Sequence, residues 1–201
     1  KDVILYIISK LGTGGCTGHF VEYSGEVFRE MSMEGRMTVC NMSIEMGAKG
    51  GMIAPDTTTF EYIKGRRFAP KEEDLGRLCA EWAALKTDDD AVFDKEFRFD
   101  AADIRPMITY GTNPGMGMAV DAVIPSEAVG CDAASFSKAL AYMDLRSGES
   151  LLGHKVDYVF LGSCTNGRLE DMEVAANILK GKKIHPDVRG IIIPATQDIY
   201  L

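Results

Sequence analysis

The chain has 201 residues, of which 46% are hydrophobic and 26% charged, with a formal net charge of -8 at neutral pH. That length supports a sizeable core, as one large or two small domains, in the composition range of folded globular proteins. The acidic balance, with no strong Lys/Arg cluster to offset it, argues against a general nucleic-acid partner, and no apolar run reaches membrane-spanning length.

The opening KDVILYIISK is too short for a signal peptide, carries Asp2 and lacks a small-residue cleavage site. Val3, Ile4, Ile7, Ile8 and Leu11 repeat at helical spacing, and Gly12 stops the helix. The glycine-rich loop Gly12–Gly18 then leads into an alternating strand, His19–Tyr23. Helix, loop, strand is the reverse of a phosphate-binding loop, which excludes that reading. Glu26–Met31 makes a short helix. Ser32 with Gly35 opens the next one, whose predicted apolar stripe is Met33, Met37, Cys40 and Ile44. Asn41 and Glu45, four residues apart, lie together at the margin of that stripe, where their spacing alone implies a solvent-facing pair.

Gly50–Ala54 reads as a strand, followed by a helix through Lys64 that Asp56 or Thr57 caps. Lys64, Arg66, Arg67 and Lys71 form a basic knot that a solvated helix end explains. A further amphipathic helix is predicted over Glu72–Lys86, using Leu75, Leu78, Cys79, Trp82 and Leu85. Asp88, Asp89 and Asp90 lack calcium-loop spacing and read as a solvated turn. Glu96–Asp100 alternates as a strand. Pro and Gly then become dense from Ile104 to Met118, which predicts a long irregular connection and a domain boundary there, dividing the chain into 1–104 and 105–201. Ser135–Asp144 is a helix.

The last part has the pattern of a βαβ unit. Val156 and Tyr158–Leu161 are an apolar run bounded by Gly162, expected as a buried strand. A helix follows, with Leu169, Met172, Ala176 and Leu179 on one face. Acidic residues crowd its start, Lys180, Lys182 and Lys183 crowd its end, and Gly181 terminates it. Gly190–Pro194 is the second strand, so the two should run parallel in one covered sheet. Cys164 therefore falls just past the carboxyl end of a parallel strand, the edge where open α/β sheets bind ligands. Ser163, Thr165, Asn166 and Gly167 around it let a backbone come close to a ligand. On the residues alone, Cys164 is either a structural cysteine in a tight turn or a reactive thiol that His154 or His185 could serve as base. A non-catalytic scaffold domain is a third reading. Five cysteines at irregular spacing, with no C-x-x-C, fit a reducing cytosol and give no complete metal set. The missing initiator Met points to a piece of a longer protein.

Ser32–Ala48 (SMEGRMTVCNMSIEMGA) and Gly162–Asn166 (GSCTN) resemble the two central motifs of the aconitase superfamily. With APDTTTFEYIKGR at Ala54–Arg66 and YGTNPG at Tyr110–Gly115, the wording is most similar to the branch that interconverts 2- and 3-isopropylmalate in leucine biosynthesis. The resemblance covers essentially the whole chain. It implies an α/β fold of three-layer α/β/α type with mostly parallel sheets, in two partial domains. It implies a cytoplasmic hydro-lyase working by dehydration and rehydration at a [4Fe-4S] cluster, with a separate small subunit as partner. Homoaconitase-type and other 2-hydroxy-acid hydro-lyases share these motifs. By the resemblance, Cys164 is a metal ligand, Ser163 and Asn166 are cofactor-binding, Asn41 is a hydrogen-bond partner of the substrate and Glu45 orients water or hydroxyl. The family's other two cluster cysteines form a C-x-x-C pair that lies outside this sequence, as do its catalytic His, Asp and Ser residues. One thiolate does not retain a cluster that needs three, so the expectation for this chain alone is an inactive apo form. Gly167 stands where this branch often has Ser, and Cys16 where relatives commonly carry Gly. His19, His154 and His185 match no catalytic histidine of the family.

Overall fold

A computed structural model describes all residues from Lys1 to Leu201. Helix α1 (Asp2–Leu11) buries Ile4, Ile7 and Ile8, as its spacing predicts, with Leu5 in addition and Val3 and Leu11 half-buried, and Gly12 ends it. Strand β1 (Phe20–Glu22) pairs in parallel with β2 (Gly50–Met52). The crossover between them holds α2 (Glu26–Glu30), α3 (Met33–Met42) and a 3-10 turn at Ser43–Met46. Ser32 caps α3, its Oγ accepting the Gly35 N–H at 3.1 Å.

The predicted stripe of α3 is off by one residue. Arg36, Val39, Met42, Ser43 and Met46 face inward, whereas Ile44 is 66% exposed. One residue is ~100° of rotation on a helix. The turn is set by Arg36, which is buried and makes four hydrogen bonds. Its Nη1 and Nη2 donate to the two Asp56 oxygens at 2.7 and 2.8 Å, Nε to Met31 O at 3.0 Å and Nη2 to Arg29 O at 2.7 Å. A planar guanidinium suits this forked geometry, and it pulls a polar position into the core. Asp56 also accepts the Thr59 N–H and so caps α4 (Thr57–Ile63). Below them the Tyr23 hydroxyl donates to Ser43 Oγ at 2.7 Å, and Ser43 donates in turn to Val39 O at 3.1 Å. Burial pushes the Tyr23 hydroxyl pKa up to about 12. We expect Tyr23→Phe, which keeps the ring and deletes the donor, to cost roughly 1 kcal/mol in urea unfolding.

Helix α5 (Glu72–Ala83) keeps Leu75, Leu78, Cys79 and Trp82 half-buried, but ends three residues before the predicted Lys86 and leaves Leu85 exposed. Glu96–Asp100 is not a strand. The segment has no ladder partners, and Phe99 meets Tyr6 edge-to-face at 5.9 Å. Alternation creates a strand only where a free edge receives it. Conversely, the stretch read as irregular contains a hairpin, β3 (Met107–Thr109) antiparallel to β4 (Gly117–Ala119). It packs on α1, with the Asp2 carboxylate accepting the Met107 N–H at 2.9 Å.

Two apolar clusters result. One gathers α1, α3, β1 and the 3-10 turn; the other joins Tyr110, Met116, Met118 and Ile124 to Phe136, Ala139 and Leu140. The last three belong to α6 (Ala133–Met143), which starts two residues before the predicted Ser135 and is capped by Asp132. The βαβ unit is present: β5 (Tyr158–Gly162), α7 (Leu169–Leu179) and β6 (Arg189–Ile193), the strands parallel, then the short α8 (Gln197–Tyr200). Its strands are not buried, however. Val159, Phe160, Ile191, Ile192 and Ile193 are all exposed, and so are Leu169 and Leu179 of α7, so this sheet has two strands and uncovered faces. The class is α/β, with parallel pairing in two of three two-stranded sheets. No helix is long and apolar enough to cross a membrane.

Candidate active site

Strand β5 delivers Cys164 through two unusual backbone positions. Gly162 has φ 152°, and Ser163, a residue with a side chain, has φ 80°. Positive φ is costly for anything but glycine and clusters where a loop is held for a purpose. Cys164 follows with an exposed thiol at the carboxyl end of β5. The turn closes on itself: the Gly167 carbonyl accepts the Ala195 N–H at 2.8 Å. A Cβ at Gly167 would stand 2.6 Å from Ser163 O and 2.7 Å from Ala195 N, so the backbone here closes around a glycine.

The loop lies against α3 and the start of α1. Thr38 Oγ1 donates to Thr165 O at 3.3 Å, and Lys1 Nζ donates to Thr165 Oγ1 at 3.3 Å. Ser163 Oγ and Thr165 Oγ1 share a 3.4 Å contact. Asn166 lines a crevice of about 200 Å³ with Lys1, Thr38, Thr165, Arg168 and Asp171. Arg168 Nε is buried at this crevice without a hydrogen-bond partner. Burial lowers the pKa of the Lys1 ammonium, and the negative groups of Asp171, Cys164 and Glu45 oppose that shift. Glu45, Cys164 and Asp171 are thus within electrostatic reach of one cation, although they come from three segments.

Asn41 sits in the last turn of α3 and Glu45 in the 3-10 turn after it, both exposed. Cys164 lies in the loop that Thr38 of α3 bonds, and Asn41 and Glu45 lie further along that helix and in the turn after it. Lys1, Thr38, Arg168 and Asp171 carried no local signal, because each reads as an ordinary polar residue until the chain folds. His154 Nε2 pairs with Glu149 at 3.1 Å, and His185 Nδ1 accepts the Asp187 N–H at 3.3 Å. Neither is bonded to Cys164, so the general base of a thiol nucleophile is not in place.

A three-thiolate cluster does not fit the residues present by themselves. No three His, Cys, Asp or Glu residues are grouped to hold a metal. Cys16 is buried and Cys40, Cys79 and Cys131 are half-buried. Burial pushes the Cys16, Cys40 and Cys131 thiols up, favouring the neutral form that does not bind metal. Cys164 is the one exposed cysteine.

Comparison with known proteins places this geometry. The chain is 59% identical to the 3-isopropylmalate dehydratase large subunit of Phocaeicola vulgatus over 196 residues, 98% of this chain and 42% of the relative. The corresponding figures are 57% for the same-named protein of Bacteroides thetaiotaomicron, over 98% of this chain and 43% of that one. For that of Roseiflexus castenholzii they are 54%, over 99% of this chain and again 43% of the relative. The chain thus spans about two-fifths of the length of these relatives. The family model for aconitases (aconitate hydratase) matches residues 1–201 without remainder, so the loop that carries Cys164 and the helix that leads to Glu45 are parts of one inherited unit, and the chain belongs to the aconitase family.

Proposed function

We propose that this chain is part of a 3-isopropylmalate dehydratase large subunit, which interconverts 2- and 3-isopropylmalate by dehydration and rehydration. The observation that carries the reading is an exposed Cys164 at the carboxyl edge of a parallel strand pair, in a loop bonded to α3, the helix that leads to Glu45. The identity of 54–59% to relatives of that name supports the substrate class. In this reading Cys164 supplies one thiolate to a [4Fe-4S] cluster whose other ligands lie outside the sequence. Ser163 and Asn166 flank that thiolate and shape the backbone around it. Asn41 offers an amide for hydrogen bonding to the substrate, and the Glu45 carboxylate orients the water or hydroxyl being exchanged. Because the chain alone holds one ligand, no catalytic step is assigned to it in isolation.

A small subunit as partner and a cytoplasmic setting belong to the same proposal, as does a division of the chain at 104/105. The buried residues of the two apolar clusters, Ile4 to Ala48 and Tyr110 to Leu140, support that division, and the β3–β4 hairpin bridges it by packing on α1. The test uses a polypeptide of the relatives' full length, with its small subunit, loaded anaerobically with iron and sulfide. Isomerisation of 2-isopropylmalate and loss of the cluster's visible absorption in Cys164→Ser are expected. A variant that keeps the cluster and its turnover would sink the reading.

A further inference from the structure

The βαβ unit is tied to the rest of the molecule at one place. Every hydrogen bond between residues 156–201 and the preceding chain lands on Lys1, on α3 or on its cap. The core of that contact is reciprocal. Ser32, the cap of α3, donates its hydroxyl to Glu170 Oε2 at 2.6 Å, and the Glu170 N–H donates back to Glu34 Oε2 at 3.0 Å. Helix α7 begins after Arg168, a side chain with no acceptor, so its first N–H groups have no cap of their own at that position. Asp171 reaches back to the Arg168 N–H at 3.1 Å, and Glu34 supplies from another helix the acceptor for the orphan N–H of Glu170, the second residue of α7. A carboxylate at a helix N-terminus is favoured twice, by the charge-assisted bond and by the helix dipole.

We propose that Glu34, closed by Ser32, is a positioning residue that holds the Cys164 loop in register with the Asn41–Glu45 segment. Cys164 lies between β5 and the start of α7, while Asn41 and Glu45 lie at the other end of the helix that carries Glu34. Fixing α7 to α3 therefore fixes the distance between the thiol and the carboxylate. The inference rests on the reading of those residues as one site, yet its test uses neither iron nor turnover, so the two fail separately.

Amide hydrogen exchange on the chain as it stands, with Cys164 alkylation in parallel, decides it. Glu34→Ala should raise exchange at residues 163–171 by about tenfold or more and speed alkylation of Cys164, while α1 and β1–β2 stay protected. Glu34→Gln keeps an acceptor oxygen and should restore parent values within about twofold. Parent-like exchange in Glu34→Ala overturns the proposal, and so does a Glu34→Gln variant as loose as the alanine. If Glu34→Ala loses protection throughout, Glu170→Pro decides instead. It deletes the donor N–H in the first helical turn, where proline is tolerated. Release confined to 163–171 supports the latch, and parent-like protection there overturns it.

Discussion

Arg36→Met should be the most damaging single change in the first half of the chain, at a cost of about 3–5 kcal/mol. The guanidinium is nearly sealed, its side chain 3% exposed, and it satisfies the Met31 and Arg29 carbonyls as well as both Asp56 oxygens. Methionine fills most of the volume but leaves the Met31 and Arg29 carbonyls and a carboxylate without their donor. The lower end of the range is expected, because Asp56 is 36% exposed and water takes over part of the lost interaction. Against a total stability of roughly 5–15 kcal/mol this is enough to shift the urea midpoint far toward zero. Asp56→Asn, whose single amide oxygen can still accept from both Arg36 Nη1 and the Thr59 N–H as Asp56 Oδ1 does, should cost less than half as much. The same pair sets an acid limit. The Arg36 guanidinium bonded to Asp56 holds its carboxyl below the usual carboxylate range in the folded state. A depressed folded pKa contributes its stability above the unfolded value, near about 4, and loses it as pH falls through the folded one. Stability should therefore decline below about pH 4, and the Asp56→Asn variant should decline less over that window. Equal acid sensitivity in the two proteins would remove Asp56 as the cause.

Much of this was legible in the residues, and the failures share a cause. Helix α1, the cap at Ser32, the cap at Asp56 and the parallel β5–α7–β6 order all rest on local signals: periodicity, an acceptor side chain before a helix, glycine after one. The α3 stripe was misplaced because Arg36 is drawn inward by Asp56, twenty positions away in the chain. Likewise, Glu96–Asp100 has the pattern of a strand without an edge to join, and Met107–Thr109 finds a partner in Ala119–Gly117 across a loop rich in Pro and Gly. In each case a tertiary partner outweighed a local preference. The exposed β5 and β6 differ in kind. Their apolar runs describe strands covered on both faces, and within these 201 residues nothing covers them. For the site, Cys164 could be found from its place after a strand, and Asn41 and Glu45 only from the family's motifs. The Lys1, Thr38 and Glu34 contacts link residues more than a hundred positions apart, for which no spacing rule exists.

Gly162→Ala should disable the Cys164 loop while sparing the remainder of the chain. Gly162 is paired with Ile193 at the end of the β5–β6 ladder, and a Cβ added there would run into the Ile193 carbonyl. Its φ of 152° adds backbone strain that glycine alone avoids. Overpacking and strain each cost roughly 1–3 kcal/mol, and both fall on a ladder five residues long. The β5–β6 amides should then lose most of their protection against hydrogen exchange, and Ser163 should relax from its own positive φ. Gly181→Ala separates the two contributions. Gly181 has φ 72° and open space around its Cβ position, so it meets backbone strain without collision and should cost only about 1 kcal/mol. If the two substitutions weaken β5–β6 equally, the close approach of Gly162 to Ile193 is not what sets the Cys164 loop. A larger effect at Gly162, with α1 and β1–β2 unchanged, assigns the position of the thiol to the tight crossing of these two strands.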